Sequence, residues 1–488
     1  MGVLSNLEPG KVFQYFEEIC QIPHGSGNVE QISDYLVGFA RERNLFVLQD
    51  ALKNVIIIKE ATPGYENEPP VILQGHMDMV AVKKPDCDID MKKEGLRLAI
   101  DGDKVYAEGT SLGGDDGIAV AYALALLDSA DLKHPRLEVV ITVDEEVGMD
   151  GAREIDLSML KGNRLVNLDS EEEGIFLTGC AGGARVYCQF PLEKQQARGR
   201  LCEIFVGGLL GGHSGGEIDK ERGNSNCLFG RVLWRLAQDI PVQLVSVEGG
   251  LADNAIPRET KAVLLLPEDW KDQGETLNEV MGHLAKEIKE ELEVRDPGVC
   301  VTWKLGETVE QAEAASAENT RRAGDFLNSL PNGVQSMSAD MPGLVETSLN
   351  LGILSMEDGV LTAEFSVRSS VESAKEALIH RLFAITELAG GVSVVTGEYP
   401  GWKYRADSPL RDKMIRVYRE MYGQEPRVEA IHAGLECGLL GSKIADLDCV
   451  SIGPDMQDIH TTEETLSIAS TRRVWEYLVK LLAARETD

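Results

Sequence analysis

The chain has 488 residues and a formal net charge of −33. That length suggests two or three domains, and acidity spread along the whole chain argues against nucleic-acid and anionic-membrane partners. No apolar run is long enough for a membrane span, no basic-then-apolar leader opens the sequence, and nine cysteines without a C-x-x-C pair fit reduced thiols, so a cytoplasmic location is expected.

Apolar residues recur at helical spacing over 12–22 and 29–43, which predicts two amphipathic helices, followed by strands at 46–48 and 54–59. Val71-Ile72-Leu73-Gln74 reads as a buried strand that stops at Gly75 and releases His76 and Asp78 at its carboxyl end, where α/β sheets carry their sites. Residues i and i+2 of an extended segment point the same way. His76 could therefore hold a metal while Asp78 orients its ring through the other nitrogen. Segments 96–100 and 104–107 flank Asp101-Gly102, a hairpin signal. Leu112-Gly113-Gly114-Asp115-Asp116-Gly117 precedes an alanine- and leucine-rich helix over 118–130. A strand over 137–143 ends in Asp144-Glu145-Glu146, and another over 165–168 ends in Asp169-Ser170-Glu171. Strands alternating with helices predict an α/β class with a largely parallel, doubly wound sheet.

The texture changes near Cys180 and becomes α+β until about 398. Inside that stretch, two strands, a helix and an edge strand over 254–305 are echoed over 354–397, as a duplicated unit would be. The α/β pattern then returns: a helix over 408–422, a strand over 428–431, the turn Ala433-Gly434-Leu435-Glu436 opening a helix, a strand over 448–452 and a last helix over 465–484. The expected organisation is a split catalytic domain, 1–184 and 399–488, interrupted by an inserted α+β lid domain at 185–398.

Each acidic cluster alone has an ordinary reading. Asp115-Asp116 could cap a helix, Asp169 could sit in a turn, and Glu145-Glu146 could be a solvated strand end. Together with His460 they form a mixed histidine and carboxylate set without thiolate, which suits zinc, manganese or cobalt in a hydrolytic site. Such a set can hold two metals ~3.5–4 Å apart with a bridging carboxylate and hydroxide. In Glu145-Glu146, adjacent side chains are not expected both to face the metals, which leaves one for general-base work.

As a set, His76-Met77-Asp78, the 112–118 run, Asp144-Glu145-Glu146, Asn167-Leu168-Asp169 and the late His460 resemble the M20 metallopeptidases, and within them the Xaa-His (aminoacyl-histidine) dipeptidases. The resemblance runs nearly end to end. It implies that Asp115 bridges two metals, His76 and Asp169 holding one and Glu146 and His460 the other. It implies Asp78 as the residue orienting His76 and Glu145 as general acid/base. In the lid, His213 would stabilise the oxyanion, while Asn254, Arg368 and Gly434 would hold the substrate, Arg368 through a bidentate fork on its carboxylate. In much of that family the lid histidine comes from a second subunit. The duplicated half could replace the partner here, and a homodimer remains open.

One departure is visible: His460 lies in Ile459-His460-Thr461-Thr462 and not in the family's Pro-His-Ser-Pro. The remaining histidines, His24, His134, His283, His380 and His432, read as core or surface residues. The expected activity is hydrolysis of unblocked L-dipeptides, of Xaa-His type or broader. The alternatives are an N-acyl amino-acid deacylase or tripeptidase on the same scaffold, and a non-catalytic metal or peptide binder.

Overall fold

The computed structural model describes residues 2–267 and 274–486. In chain order the elements begin with helices α1 (Gly10–Cys20) and α2 (Glu30–Glu42) and strands β1 (Phe46–Gln49), β2 (Val55–Lys59), β3 (Val71–His76), β4 (Leu98–Asp101) and β5 (Lys104–Ala107). Helix α3 (Gly114–Asp128), β6 (Leu137–Thr142), the short helices α4 (Glu145–Gly148) and α5 (Asp150–Glu154), β7 (Arg164–Asn167) and β8 (Ile175–Cys180) follow. Next come β9 (Gly182–Pro191), β10 (Lys194–Gly207), β11 (Gly212–His213), α6 (Ser225–Asp239), β12 (Gln243–Gly249), β13 (Ala255–Ile256), β14 (Thr260–Pro267), α7 (Glu275–Leu292) and β15 (Cys300–Ala315). They lead to α8 (Ala317–Ser329), β16 (Gly333–Met337), β17 (Val345–Glu357), β18 (Val360–Ser369), α9 (Glu372–Leu388) and β19 (Val392–Tyr399). The chain closes with α10 (Pro409–Tyr422), β20 (Arg427–Ile431), α11 (Glu436–Lys443), β21 (Asp448–Ser451), β22 (Met456–Gln457), β23 (Thr465–Ser467) and α12 (Ile468–Ala483).

Two compact units result. The first takes Met1–Cys180, Trp402–Ala430 and Leu435–Asp488, and the second takes Ala181–Gly401 and Ile431–Gly434.

The first unit is built on an eight-stranded sheet in the order β1-β2-β6-β3-β7-β21-β8-β20. β6, β3, β7 and β21 are parallel. The flanks are antiparallel, β1 to β2, β2 to β6 and β8 to β21. The expected parallel, doubly wound pattern thus describes the centre of the sheet. The edge differs because the tight turn joining β1 to β2 can only make an antiparallel pair. β3 and β6 are buried along their whole length, as strands covered on both faces are. The four parallel strands end at one edge, and each hands the chain to a segment bearing a candidate ligand. α3 crosses behind them. Its residues Ile118–Leu127 are all buried, which explains the absence of a polar face in the sequence. A small sheet, β22-β23-β5-β4, holds the loop that carries His460. Residues 465–467, expected to be helical, form β23 because Leu466 is buried opposite Val105.

The second unit holds a sheet in the order β15-β10-β14-β12-β17-β18-β9-β19, with β16 beside β17, and every pairing is antiparallel. Alternate strand residues such as Cys202, Ile204 and Val206 pack with apolar residues of α6, α7, α8 and α9 in one core. The strands fall into two sets of four. β10-α6-β12-β14-α7-β15 lies in the sheet order β15-β10-β14-β12. β9-α8-β17-β18-α9-β19 repeats that arrangement as β19-β9-β18-β17, with β16 added after α8. The first set lies wholly within the second, between β9 and α8.

Candidate active site

In the first unit, His76 ends β3 and is 1% exposed. Its Nε2 lies 3.2 Å from Oδ1 of Asp115 and 3.5 Å from Oδ1 of Asp169. His460 approaches from the loop between β22 and β23, with φ of 60°, a left-handed conformation that a histidine holds only under constraint. Its Nε2 lies 3.0 Å from Oδ2 of Asp115 and 3.0 Å from Oε2 of Glu146. Asp115 therefore turns one oxygen to each histidine. Gly113 at φ 68° opens the turn, and Asp115 and Asp116 depart from helical geometry before α3 becomes regular. Asp116, buried beneath, accepts the His76 backbone N–H at 3.1 Å.

Asp78 faces the other ring nitrogen of His76 with both its carbonyl and its carboxylate. His76 Nδ1 lies 2.9 Å from the backbone carbonyl of Asp78 and 3.6 Å from its carboxylate. The carboxylate also accepts from Ser26 Oγ at 2.8 Å and from the backbone N–H groups of Glu145 and Glu146 at 3.1 and 3.4 Å. It caps the α4 turn, where negative charge is favoured, and so ties β3 to the two glutamates. Both glutamates stay close to the cluster. Ligand atoms of Glu145, Glu146 and His76 lie within 4.8 Å of one another, because a helical turn, unlike an extended segment, does not throw neighbours to opposite sides.

Below the cluster, Glu436 Oε2 accepts from Gln74 Nε2 and Thr142 Oγ1, both at 2.6 Å, and Gln74 Oε1 accepts from Asn167 Nδ2 at 2.6 Å. This buried network ties β3, β6 and β7 to the start of α11. It had no sequence signal beyond polar residues inside apolar strands.

The second unit assembles its own candidates. His213 on β11 pairs with Ala255 on β13, and Ser214 N–H donates to the Asn254 carbonyl at 2.8 Å, so His213 and Asn254 are neighbours. His213 Nδ1 accepts from the N–H groups of Gly215 and Gly216 at 3.3 and 3.1 Å. In the neutral ring the proton then sits on Nε2, which becomes a donor. Burial, then Arg368, lowers the pKa of His213 and favours that neutral form. Arg368 on β18 is 8% exposed, its Nη1 donates to the Tyr399 hydroxyl at 3.1 Å, and its buried Nε has no partner. Among the described residues no carboxylate forms an ion pair with it. Ser348, paired with Arg368 across β17 and β18, bonds His432 Nε2 at 2.7 Å. Gly434 presses on the Tyr399 ring: a Cβ there would stand 2.9 Å from it.

The sequence profile of the peptidase family M20/M25/M40 matches residues 72–484. The chain belongs to that family. This M20 peptidase is 38% identical over 485 residues, 99% of each chain, to the cytosol non-specific dipeptidase of Escherichia coli (strain K12). It is similar to the crystal structure of the aminoacylhistidine dipeptidase from Vibrio alginolyticus, with a TM-score of 0.91, 38% identity and coverage of 99% of this chain and 98% of that one. A tripeptidase structure from Staphylococcus aureus shares the fold, with a TM-score of 0.56 and 15% identity, the two chains matching over 100% of each.

The donor set of this M20 peptidase fits divalent cations. Ligand atoms of Asp115, Glu146 and His460 lie within 4.8 Å of one another, as do those of His76, Asp116 and Asp169. All are oxygen or imidazole nitrogen, and buried Oε1 of Glu146 has no protein partner. The electrostatics show the same demand for positive charge. Burial raises Asp169 to about 7, against the pull of His76. Burial also raises Glu145 and Asp116 well above the carboxylate range, with Asp169 adding to both. Bonds to Asp115 and Glu146 raise His460 to about 10. Burial opposes charge on His76, yet Asp169, Asp115 and Asp78 outweigh it and hold that imidazole far above its usual value. Crowded buried carboxyls beside imidazolium are a donor set that divalent cations would neutralise.

Proposed function

We propose that this chain is a cytoplasmic, metal-dependent dipeptidase acting on unblocked L-dipeptides, Xaa-His pairs among them. The observation that carries the reading is Asp115 shared between His76 and His460, with Asp169 and Glu146 beside them. Two of the relatives named above, those of Escherichia coli and Vibrio alginolyticus at 38% identity, are called dipeptidases and support it.

His76, Asp115 and Asp169 would hold one ion, and Asp115, Glu146 and His460 the other, zinc fitting best with manganese or cobalt as substitutes. Bound there, such ions would lower the pKa of water and polarise the scissile carbonyl. Glu145, whose carboxylate lies beside His76 and Glu146, takes the proton from the attacking water and passes it to the leaving amine. His213 donates from Nε2 to the developing oxyanion. Arg368, buried without an acid partner, receives the dipeptide's carboxylate. Asn254 and the backbone at Gly434 complete its recognition. In this reading the second unit is the lid and its two strand sets are a duplication. His213 and Arg368 belong to the same unit, and in this reading both act within their own chain.

The test is hydrolysis of a dipeptide panel and its N-acetylated counterparts by apoprotein refilled with zinc, manganese or cobalt in turn. Cleavage of free dipeptides is expected. Preference for the acetylated forms would point to a deacylase, faster cleavage of tripeptides to a tripeptidase, and tight binding without cleavage to a binder.

A further inference from the structure

Four consecutive backbone N–H groups converge on one side chain. Leu112 and Gly113 donate to Oε2 of Glu464 at 2.8 and 3.1 Å, and Gly114 and Asp115 donate to Oε1 at 2.8 and 3.3 Å. Glu464 is 3% exposed, and among the described residues no lysine, arginine or histidine pairs with it. Gly113 in the left-handed region turns successive N–H groups to the same side, a concave nest that favours an anion. Here the anion belongs to the protein itself.

The position of that carboxylate gives it a use beyond capping α3. Glu464 follows His460 by four residues, and the nest it fills ends at Asp115. The loop of His460 and the turn of Asp115 therefore meet twice. They meet in front through His460 Nε2 and Asp115 Oδ2 at 3.0 Å, and behind through Glu464 and the 112–115 backbone. Gly114 adds a steric reason: a Cβ there would stand 3.2 Å from Oε1 of Glu464, so the clamp closes tightly only over glycine. The sequence shows no Pro-His-Ser-Pro stiffening around His460, and its left-handed backbone needs support from elsewhere.

We propose that Glu464 is a positioning residue that locks the Asp115 turn and the His460 loop into one rigid piece, so that the ion site formed by Asp115, Glu146 and His460 is preassembled. The inference rests on the reading that these residues hold a divalent ion. Outer-shell partners of this kind typically change metal affinity about 10–100-fold.

The experiment titrates metal-free wild type and Glu464→Gln with cobalt(II), followed by visible absorption and calorimetry. Glutamine keeps the volume but presents an amide NH2 to N–H groups that need an acceptor. Wild type should bind in two steps, one of them removed by His460→Ala. In Glu464→Gln that step should weaken about 10–100-fold, with an altered cobalt spectrum, while the other step and the circular dichroism stay as in wild type. Turnover should recover at high metal concentration with KM unchanged. If Glu464→Gln fails to fold, Glu464→Asp, which keeps the charge and withdraws it by one methylene, should show the same selective loss. Two unchanged steps, or both weakened alike with a lower melting temperature, would overturn the proposal and leave the metal site standing. A wild type that takes up no cobalt at all would instead overturn the metal reading, and the proposal with it.

Discussion

Gly75 and Asp116 leave no room between them: a Cβ on Gly75 would stand 2.4 Å from Oδ2 of Asp116 and 2.7 Å from Cβ of Ala119. That same Oδ2 accepts the His76 N–H. The last turn of β3 is thus laid directly on the start of α3, and the two ligands His76 and Asp115 take their separation from this contact. Gly75→Ala should cost about 1–3 kcal/mol by overpacking and push the Asp115-Asp116 turn away from His76. A lower melting temperature and weaker metal uptake are expected together. A variant as stable as wild type, with normal metal content, would show that the contact sets nothing.

Glu145 touches the cluster without being needed to complete either ligand set. Glu145→Ala should therefore keep its metal and lose about 10²–10⁴-fold in kcat. Metal analysis beside steady-state kinetics separates this from simple loss of the ions. A variant retaining both metals and full turnover would remove Glu145 from the proton-transfer role.

Metal binding should release protons. In the metal-free protein His460 holds its proton up to about 10 and Asp169 up to about 7, and both must be bare to coordinate. His76, also held far above the usual imidazole value, must shed its proton too, so at pH 7 coordination displaces the His460 and His76 protons and part of the Asp169 proton. Apparent affinity should rise steeply as pH rises towards 7, more gently up to about 10, and then level off. Calorimetry in buffers of different ionisation heat measures the protons directly, and affinity independent of pH between 6 and 9 would contradict the assignment.

Arg368 carries a buried charge that no acid answers among the described residues. Arg368→Ala should lower kcat/KM for dipeptides by about 1.5–3 kcal/mol, the worth of a charged hydrogen bond. Wild type acting on a dipeptide amide should show a similar deficit, and the variant should discriminate little between the two substrates. Arg368→Lys should recover only part of the loss, since ammonium lacks the planar fork.

The central strands and the clustering of the histidine and carboxylates at their ends were legible because each is an apolar run that stops at a charged residue, and a sheet edge gathers such ends by geometry alone. β6 with Glu146 and β7 with Asp169 are of this kind. What escaped were the groups that hold ligands in place. Glu464 and Glu436 are buried acids whose partners are backbone N–H groups or neutral side chains hundreds of positions away. No periodicity marks them, since only the folded loops bring their donors together. The bonds Asp78 makes to the α4 turn were hidden for a related reason. Spacing says which residues face the same way, but it does not say which distant N–H groups a carboxylate meets. The antiparallel edge formed by β1 and β2 depended on turn length, which hydrophobic pattern does not encode.

The nesting of one strand set inside the other also bears on synthesis. β9 pairs only with β18 and β19, and both are translated after the whole β10–β15 set. A nascent chain can therefore close the inner set first, since all four of its strands are complete by residue 315. β9 meanwhile waits with both edges open, and a ribosome halting between residues 316 and 359 would expose a strand whose complements do not yet exist.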